Sequence, residues 1–301
     1  MNAVGLPSIT LGIAAFNEEE SIAKSIRSIL LASQYIRNDI EFIVVASGCT
    51  DRTVEMAHNA FCDDGRARIV CDASRLSKCA ALNLLAECAR GEILVFVDAD
   101  VQVEPQTLRL LSEAFFNDPK LSLAFGRMIP QSGSSPYWTR IGEMTSQALH
   151  AIRGLPDGSG LWLVCGPLFA IRADVWPRLP DGLTSDDVYL GVLFTSNGRQ
   201  VLYLPEAVAF GMYPQTMRDL ISQKLRNRIA RLQLRTLEGE AFRRVPLWMV
   251  SFALPRLKCA AIRHLPILLI DTLLCAVALL LWAAGHKANP LWKQLPSTKL
   301  R

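Results

Sequence analysis

The sequence predicts an α/β fold with a mainly parallel central sheet flanked by helices. Short apolar runs typical of buried strands alternate with segments whose apolar residues recur at helical spacing. The connections between them are short, and strands that are joined through helices pair in parallel with right-handed crossovers. A chain of 301 residues is long enough for one large domain with an appendage.

The first hundred residues carry the clearest strand–helix alternation. We predict strands over residues 8–16, 41–47, 67–72 and 92–98. We predict helices over residues 17–33, from about 51 to 60 and over 77–89, the first of them with Asn17 as its N-cap. Because the carboxyl ends of parallel strands meet at one edge of a sheet, polar residues that follow these strands should lie together there.

The alternation continues less regularly towards residue 210. We predict helices from Pro105 to about residue 116, over 134–154 and over 185–198, and strands over 121–129, 161–172 and 200–210. A long basic helix should begin at about residue 215.

Charge is unevenly distributed along the chain. Residues 1–214 hold 17 Lys and Arg against 24 Asp and Glu, whereas residues 215–264 hold 11 against three. A basic excess confined to one segment is not typical of a nucleic-acid-binding protein, and we expect no nucleic acid partner. The eight cysteines contain no C-x-x-C pair, which argues against zinc binding and favours buried thiols in a reducing compartment.

Two aspartates, Asp98 and Asp100, stand at the end of the predicted fourth strand in the sequence VFVDADV. Alternation along a strand points both side chains to the same side, where two like charges repel each other. A Mg²⁺ or Mn²⁺ ion between them would relieve the repulsion, because these ions prefer oxygen ligands and complete their shells with water and substrate phosphates. A solvated strand end is the alternative.

Seven motifs, in order, make the chain resemble the family 2 glycosyltransferases over about residues 8–235. They are AAFNEEESI (14–22), VVASGCTDRT (44–53), LSKCAALN (76–83), FVDADV (96–101), CGPLFAIRADVW (165–176), TSDDVYLG (184–191) and QKLRNR (223–228). The resemblance implies a single nucleotide-binding α/β domain of the A type that transfers a sugar with inversion.

The resemblance also implies a role for each matched residue. Those expected at the nucleotide sugar are Glu18, Ser47, Asp72, Lys78, Asp98, Gln223 and Arg226. Asp100 and Asp98 would bind the Mg²⁺ or Mn²⁺ ion that bridges the donor diphosphate. Asp187 would be the general base that takes the proton of the acceptor hydroxyl. Asp186 stands where the family usually has Glu, and spacing alone leaves open which of the two aspartates is the base.

Two departures from the family pattern bear on the substrates. Ala46 and Ser47 stand where many members carry an acidic residue that recognises uracil. UDP is still the expected nucleotide, but it would bind without that contact. Asn227 replaces the tryptophan expected after Arg226, which argues against a processive polymer synthase. The resemblance therefore implies the transfer of one sugar to a membrane-associated lipid or lipid-linked saccharide.

These observations divide the chain into four segments: a catalytic domain (1–236), an amphipathic interface segment (237–264), a candidate transmembrane or re-entrant helix (265–285) and a basic tail (286–301). The third segment contains one charged residue, Asp271, in close to the roughly 20 apolar residues that span a bilayer. A buried helix packed on the catalytic domain is the alternative. Because the N-terminus lacks a secretory signal, we expect the catalytic domain on the cytoplasmic face of a membrane, in particular the bacterial inner membrane.

Two other functions fit parts of the sequence. A nucleotidyltransferase on a similar sheet would carry a glycine-rich phosphate loop after its first strand, where this chain has AAFNEEE. A catalytically silent scaffold that binds a membrane would account for the altered positions 46, 47 and 227. Such a scaffold gives no physical reason to retain Asp98, Asp100, Asp187, Lys78 and Arg226 together.

Overall fold

The structure is a computed structural model that describes residues 6–133, 135–237, 276–278, 280–281 and 283–285. Within these ranges eight strands form one sheet in the order β3-β2-β1-β4-β7-β6-β8-β5. The strands are β1 (Ile9–Ala15), β2 (Ile40–Ser47), β3 (Ala67–Asp72), β4 (Ile93–Val97), β5 (Gln102–Val103), β6 (Leu121–Pro130), β7 (Leu168–Arg172) and β8 (Gln200–Gly211). The helices are α1 (Ile22–Ser33), α2 (Thr53–Phe61), α3 (Lys78–Cys88), α4 (Thr107–Asn117), α5 (Pro136–Arg153), α6 (Asp186–Ser196) and α7 (Met217–Leu234).

The N-terminal part of the sheet confirms the predicted parallel α/β arrangement. β1 pairs in parallel with β2 and β4, and β2 pairs in parallel with β3. Alternate residues of β4 enter two different cores, Val95 on one face and Leu94 and Phe96 on the other. Residues of α1, α2 and α4 complete the first core, and residues of α3 and α6 complete the second. Both faces of the sheet are therefore covered.

The C-terminal part of the sheet is mixed. β6 and β8 pair in parallel, but β7 runs antiparallel to β4 and β6, and the short β5 runs antiparallel to β8. The predicted strand over 161–172 is wrong in its first part, because only Leu168–Arg172 is a strand. Residues such as Leu163 and Val164 are apolar because they are buried in the second core from a loop.

The predicted start of the first helix is also wrong. α1 begins at Ile22, and Asn17 has a left-handed backbone conformation with φ of +52°. Asn tolerates this conformation better than most residues. Its side-chain Oδ1 accepts a hydrogen bond from the backbone N–H of Thr50 at 2.8 Å, so Asn17 links two loops at the carboxyl edge of the sheet.

The long basic helix is confirmed as α7. Ile229 and Leu232 of α7 pack against Ala278, which belongs to the predicted 265–285 segment and is fully buried. In the part of the chain that the structure describes, no helix combines the length and the apolarity needed to cross a bilayer. Most of residues 237–301 lies outside the described residues, and the three segments predicted there stay predictions.

Candidate active site

A buried ammonium group lies between two carboxylates at the carboxyl edge of the sheet. Lys78 Nζ is 2.8 Å from Asp98 Oδ1 and 3.5 Å from Asp186 Oδ2. Lys78 is the first residue of α3, Asp98 follows β4, and Asp186 is the first residue of α6. The exposed fractions of these side chains are 13%, 13% and 6%. Lys78 is therefore a buried ion-pair partner and not an exposed lysine at a helix start.

Burial and charge shift the pKa values in this group. Burial lowers the pKa of Lys78, but Asp186 and Asp98 together outweigh it and hold this pKa above its ordinary value. Burial raises the pKa of Asp98, which the charge of Lys78 offsets only in part. Burial raises the pKa of Asp186 to about 6. The charge of Lys78 lowers this pKa, and the charge of Asp187 raises it further. Additional positive charge at this site would favour the ionised carboxylates.

The basic helix α7 brings such a charge. Burial lowers the pKa of the half-buried Arg226, whereas Asp187, Asp98 and Asp186 raise it. This guanidinium group is thus near enough to all three carboxylates for their charges to act on it. Gln223, one turn earlier on α7, lines the same cavity as Asp187. The structure thus brings both predicted residues of α7 to the site.

Asp187 is the carboxylate that faces open space. Its Oδ1 accepts hydrogen bonds from Ser185 Oγ at 2.6 Å and from the backbone N–H of Val188 at 2.8 Å. Its Oδ2 lies so close to Gly166 that a methyl group at this glycine would approach within 3.1 Å of it. Asp187 lines a cavity, whereas Asp186 is buried and turned towards Lys78. Of the two aspartates, Asp187 is therefore the one that a molecule in the cavity could reach.

The cavity at Asp187 has a volume of about 470 Å³. Its walls come from α5, from the loop before β7 and from α7, and apolar side chains such as Met144 and Leu163 form much of the lining. Pockets that bind small molecules usually have volumes of about 300–1,000 Å³. The cavity is large enough to hold part of a substrate at Asp187.

Ser47 and Asp72, two predicted nucleotide contacts, lie farther along the same edge. Ser47 Oγ donates to the carbonyl oxygen of Ser74 at 2.9 Å and accepts from the N–H of Leu76 at 2.7 Å. Hydrogen bonds from Ser74 hold the pKa of Asp72 below its usual value. β3 is three strands away from β4, or about 14 Å at the usual strand spacing. An extended ligand is needed to reach both ends of this edge.

Glu18, the third such residue, belongs to a pair of interlocked loops. Its backbone N–H donates to Thr53 Oγ1 at 2.7 Å, and its Oε2 accepts from Ser21 Oγ at 2.6 Å. Asp51 accepts from the N–H of Thr53 at 3.0 Å and from the N–H of Glu19 at 3.2 Å, so it joins the start of α2 to the loop after β1. These hydrogen bonds fix the shape of the two loops at this end of the edge.

Two amide side chains that the sequence analysis did not single out hold the segment before α6. Asn83 Oδ1 accepts from the N–H of Leu179 at 2.8 Å, and its Nδ2 donates to the carbonyl oxygen of Leu179 at 2.9 Å. Gln233 Nε2 donates to the carbonyl oxygen of Gly182 at 2.7 Å, and its Oε1 accepts from the N–H of Thr184 at 3.2 Å. Asn83 lies in a matched motif that could have indicated it, whereas the local sequence around Gln233 carries no such signal.

Comparison with known families places the chain. The profile of glycosyl transferase family 2 matches residues 10–178, which is more than half of the chain. The chain belongs to this family. In this family 2 member the matched region runs from β1 to β7 and includes Lys78, Asp98 and Asp100. Asp187 and Arg226 lie beyond it.

Curated relatives of this family 2 member are named as enzymes of sugar transfer. An N-acetylglucosaminyltransferase of Rhizobium leguminosarum bv. viciae is 26% identical over 235 residues, which are 73% of this chain and 55% of the relative. The poly-beta-1,6-N-acetyl-D-glucosamine synthase of Staphylococcus aureus (strain COL) is 24% identical over 235 residues, 75% of this chain and 55% of the relative. The chain spans about half the length of the curated relatives it matches.

Solved structures confirm the fold. One is the mannosyltransferase PcManGT from Pyrobaculum calidifontis, solved in complex with GDP-Man and Mn²⁺. It matches with a TM-score of 0.60 at 18% identity, and the match covers 98% of this chain and 78% of the mannosyltransferase chain. Another is glucosyl-3-phosphoglycerate synthase from Mycobacterium tuberculosis, solved in complex with Mn²⁺, UDP and phosphoglyceric acid. It matches with a TM-score of 0.55 at 18% identity, and the match covers 78% of this chain and 80% of the synthase chain. At these identities the likeness concerns the fold alone.

The carboxylates after β4 can supply part of the shell of a divalent cation. Asp98 shares one oxygen with Lys78, and Asp100 lies half-buried in the turn before β5. Among the described residues, no group of three or more His, Cys, Asp or Glu side chains is placed to hold a metal ion. Two carboxylates still fit Mg²⁺ or Mn²⁺, because Mg²⁺ usually keeps several waters and binds substrate phosphates. The metal role of Asp98 and Asp100 stays a prediction.

Proposed function

We propose that this chain transfers a single sugar, with inversion, from a nucleoside diphosphate donor to a membrane-associated lipid or saccharide acceptor. UDP is the proposed nucleotide, and Mg²⁺ or Mn²⁺ is the proposed cofactor. The observation that carries the proposal is the meeting of acidic and basic groups at the carboxyl edge of the sheet, beside a cavity. This edge is where α/β sheets bind their ligands.

The charges of the site suit a diphosphate leaving group. Lys78 and Arg226 bring two cations to the carboxylate cluster. A preorganised cation stabilises negative charge as it develops on a leaving group, and Arg binds phosphate oxygens in bidentate fashion. A divalent ion held by Asp98 and Asp100 would add charge stabilisation of the same kind. The nucleotide and Mn²⁺ in the solved structures of similar fold support this part of the proposal.

Asp187 is the proposed general base. Hydrogen bonds from Ser185 and Val188 hold its Oδ1, so that Oδ2 at the cavity wall is the oxygen that accepts the proton of the acceptor hydroxyl. As this proton leaves, the hydroxyl oxygen forms the new bond to the anomeric carbon, and the bond from that carbon to the diphosphate oxygen breaks on the opposite face. Inversion at the sugar follows from this geometry.

The membrane location is part of the same proposal. Residues 215–264 carry the basic excess of the chain and include arginines interleaved with aromatic residues, a composition suited to an anionic membrane surface. We place the catalytic domain on the cytoplasmic face of the bacterial inner membrane, with the 265–285 segment as its anchor.

A thermal-shift panel tests the proposed function. UDP-N-acetylglucosamine, UDP-glucose and GDP-mannose are each added with and without Mn²⁺, and a ligand that binds only the folded state raises the Tm. We expect a UDP-sugar to raise the Tm in the presence of Mn²⁺ and to release UDP when membrane lipids are added. A panel in which no nucleotide sugar changes the Tm, together with no release of UDP, would overturn the proposal.

A further inference from the structure

The cavity at Asp187 combines an apolar wall with buried positive charge. Arg153, Arg228 and Arg231 line it and are 7%, 2% and 6% exposed. Among the described residues that line the cavity, Asp187 is the one carboxylate. Lys224 adds a further cation. Among the described residues of the lining, basic side chains therefore outnumber acidic ones.

Arg153 is held at the cavity wall by contacts with uncharged groups. Its Nε donates to the carbonyl oxygen of Leu163 at 2.7 Å, and Nη2 donates to that of Val164 at 3.3 Å. Its guanidinium group lies 5.5 Å from the centre of the Phe125 ring. None of the ion pairs formed among the described residues includes Arg153. A buried charge without a counter-ion costs free energy, which an anionic ligand would recover.

We propose that this cavity binds the acceptor, and that the acceptor is an amphiphile that carries a phosphate group and a hydroxyl group. The phosphate lies at Arg153, the apolar chain lies along the apolar wall, and the hydroxyl group reaches Asp187. This inference rests on the proposed function, because it names the acceptor class of the same site.

The two polar anchors are close enough to serve one ligand. Arg153 is bonded to the carbonyl oxygen of Val164, and Asp187 lies against Gly166. Two residues of extended chain span at most about 7 Å. An anion at Arg153 and a hydroxyl group at Asp187 can therefore belong to the same molecule, with the hydroxyl group presented to the reacting carboxylate.

The charge of the cavity also favours a phosphate-bearing amphiphile over two other occupants, a neutral saccharide and a segment of this chain. A neutral saccharide offers no negative charge to Arg153 and binds poorly to an apolar wall. Residues 238–275 of this chain carry five Lys and Arg against three Asp and Glu, so this segment has the same sign of charge as the cavity. A phosphate-bearing amphiphile matches both the charge and the apolar lining.

Binding of dodecyl phosphate to the full-length protein tests the inference, with dodecanol and inorganic phosphate as separate arms. We expect dodecyl phosphate to bind at least about tenfold more tightly than either of the other two, because it alone satisfies both Arg153 and the apolar wall. Equal binding of dodecanol would contradict the role of the phosphate. Equal binding of inorganic phosphate would contradict the role of the apolar chain.

Two substitutions locate the binding. Arg153→Met should weaken dodecyl phosphate about tenfold and leave dodecanol unchanged, and Arg153→Lys should recover part of the loss. Ala148→Phe, which fills the cavity from α5 without removing a buried charge, should weaken both alkyl compounds. Glu143→Phe is the matched control, because it places the same ring on α5 away from the cavity lining and should change neither. Unchanged binding of dodecyl phosphate to Ala148→Phe would overturn the inference even if the Arg153 variants do not fold.

Binding of UDP with Mn²⁺, measured in the same preparations, separates this inference from the proposed function. A protein that binds UDP but not dodecyl phosphate would overturn the acceptor inference and leave the proposed function standing. A protein that binds neither UDP nor a nucleotide sugar would overturn the proposed function itself.

Discussion

Lys78 Nζ lies 2.8 Å from Asp98 Oδ1, so the positive charge beside this aspartate belongs to the chain itself. A divalent cation was the explanation that the sequence favoured for the Asp98–Asp100 couple. The structure adds an internal lysine that already neutralises one member and reaches Asp186 at 3.5 Å. Asp98 thus has one oxygen that holds Lys78 and a second oxygen that a cation could use.

Replacing Lys78 with Met should destabilise the fold. The substitution keeps most of the apolar stem but leaves Asp98 and Asp186 buried without their cation. Removing one partner of a buried pair costs about 3–5 kcal/mol, and we expect a loss of about 3 kcal/mol in the free energy of unfolding, measured by denaturant titration. Lys24→Met, at an exposed position of α1, is the control and should change it by less than about 0.5 kcal/mol. Equal stability of Lys78→Met and wild type would contradict the ion-pair assignment.

Asp187→Asn should abolish transfer while leaving the donor site intact. The amide cannot accept the proton of the acceptor hydroxyl, so we expect kcat to fall by about 10²- to 10⁴-fold with little change in the Kd of UDP. Transfer and UDP binding are measured on the same preparation. Asp186→Asn is the informative comparison, because this side chain faces Lys78 and is buried. If Asp186→Asn alone lost transfer, the base would be Asp186.

Asp186 should give the stability of the protein a distinctive pH dependence. Burial raises the pKa of Asp186 to about 6 from an ordinary value of 3.8, so the folded protein binds this proton more tightly than the unfolded chain. The resulting stabilisation is complete below about pH 4 and is lost as the pH rises through about 6. The measured quantity is the free energy of unfolding of wild type minus that of Asp186→Asn, from urea unfolding at several pH values. As the pH rises from about 4 to about 6, this difference should fall by about 2 kcal/mol. A difference that rises with pH would contradict the shift.

Gln233 should act on the reaction rate through the segment that it holds. Gln233→Leu removes the hydrogen bonds to Gly182 and Thr184, just before the carboxylates of α6. Because small displacements of reacting groups are costly, kcat should fall by about 10- to 100-fold with the KM for the donor nearly unchanged. Gln200→Leu, at an exposed strand position, is the control. A parallel loss of kcat, donor affinity and Tm would mean that Gln233 has only a structural role.

The parallel part of the fold was predictable because each of its strands and helices has a recognisable pattern of apolar residues in its own local sequence. β1 to β4 are short segments made mostly of apolar residues, and the helices between them show apolar residues at helical spacing. The antiparallel placement of β7 was not, because strand direction depends on pairing with β4 and β6 far away in the sequence. The apolar residues 161–167 were predicted as a strand because burial from a loop leaves the same composition as burial in a sheet.

The candidate site likewise has residues that the sequence predicted and contacts that it did not. Lys78, Asp98, Asp187 and Arg226 were found because each lies in a short motif, and the structure brings all four together. The contact of Lys78 with Asp98 was not foreseen, because it joins residues of separate elements that only the folded sheet places side by side. Arg153 was missed for a related reason, since its importance comes from the cavity around it and not from its neighbours in the sequence.

The most direct test of the central claim is a calorimetric titration of UDP into the full-length protein, with Mn²⁺ and with a chelator. If a divalent ion at Asp98 and Asp100 joins the nucleotide to the carboxyl edge of the sheet, wild type should bind UDP at least about tenfold more tightly with Mn²⁺, and Asp100→Ala should lose this difference. Asp174→Ala, at an exposed position, should behave as wild type. Binding of UDP that is unaffected by Mn²⁺ in wild type, or full dependence on Mn²⁺ in Asp100→Ala, would contradict the account.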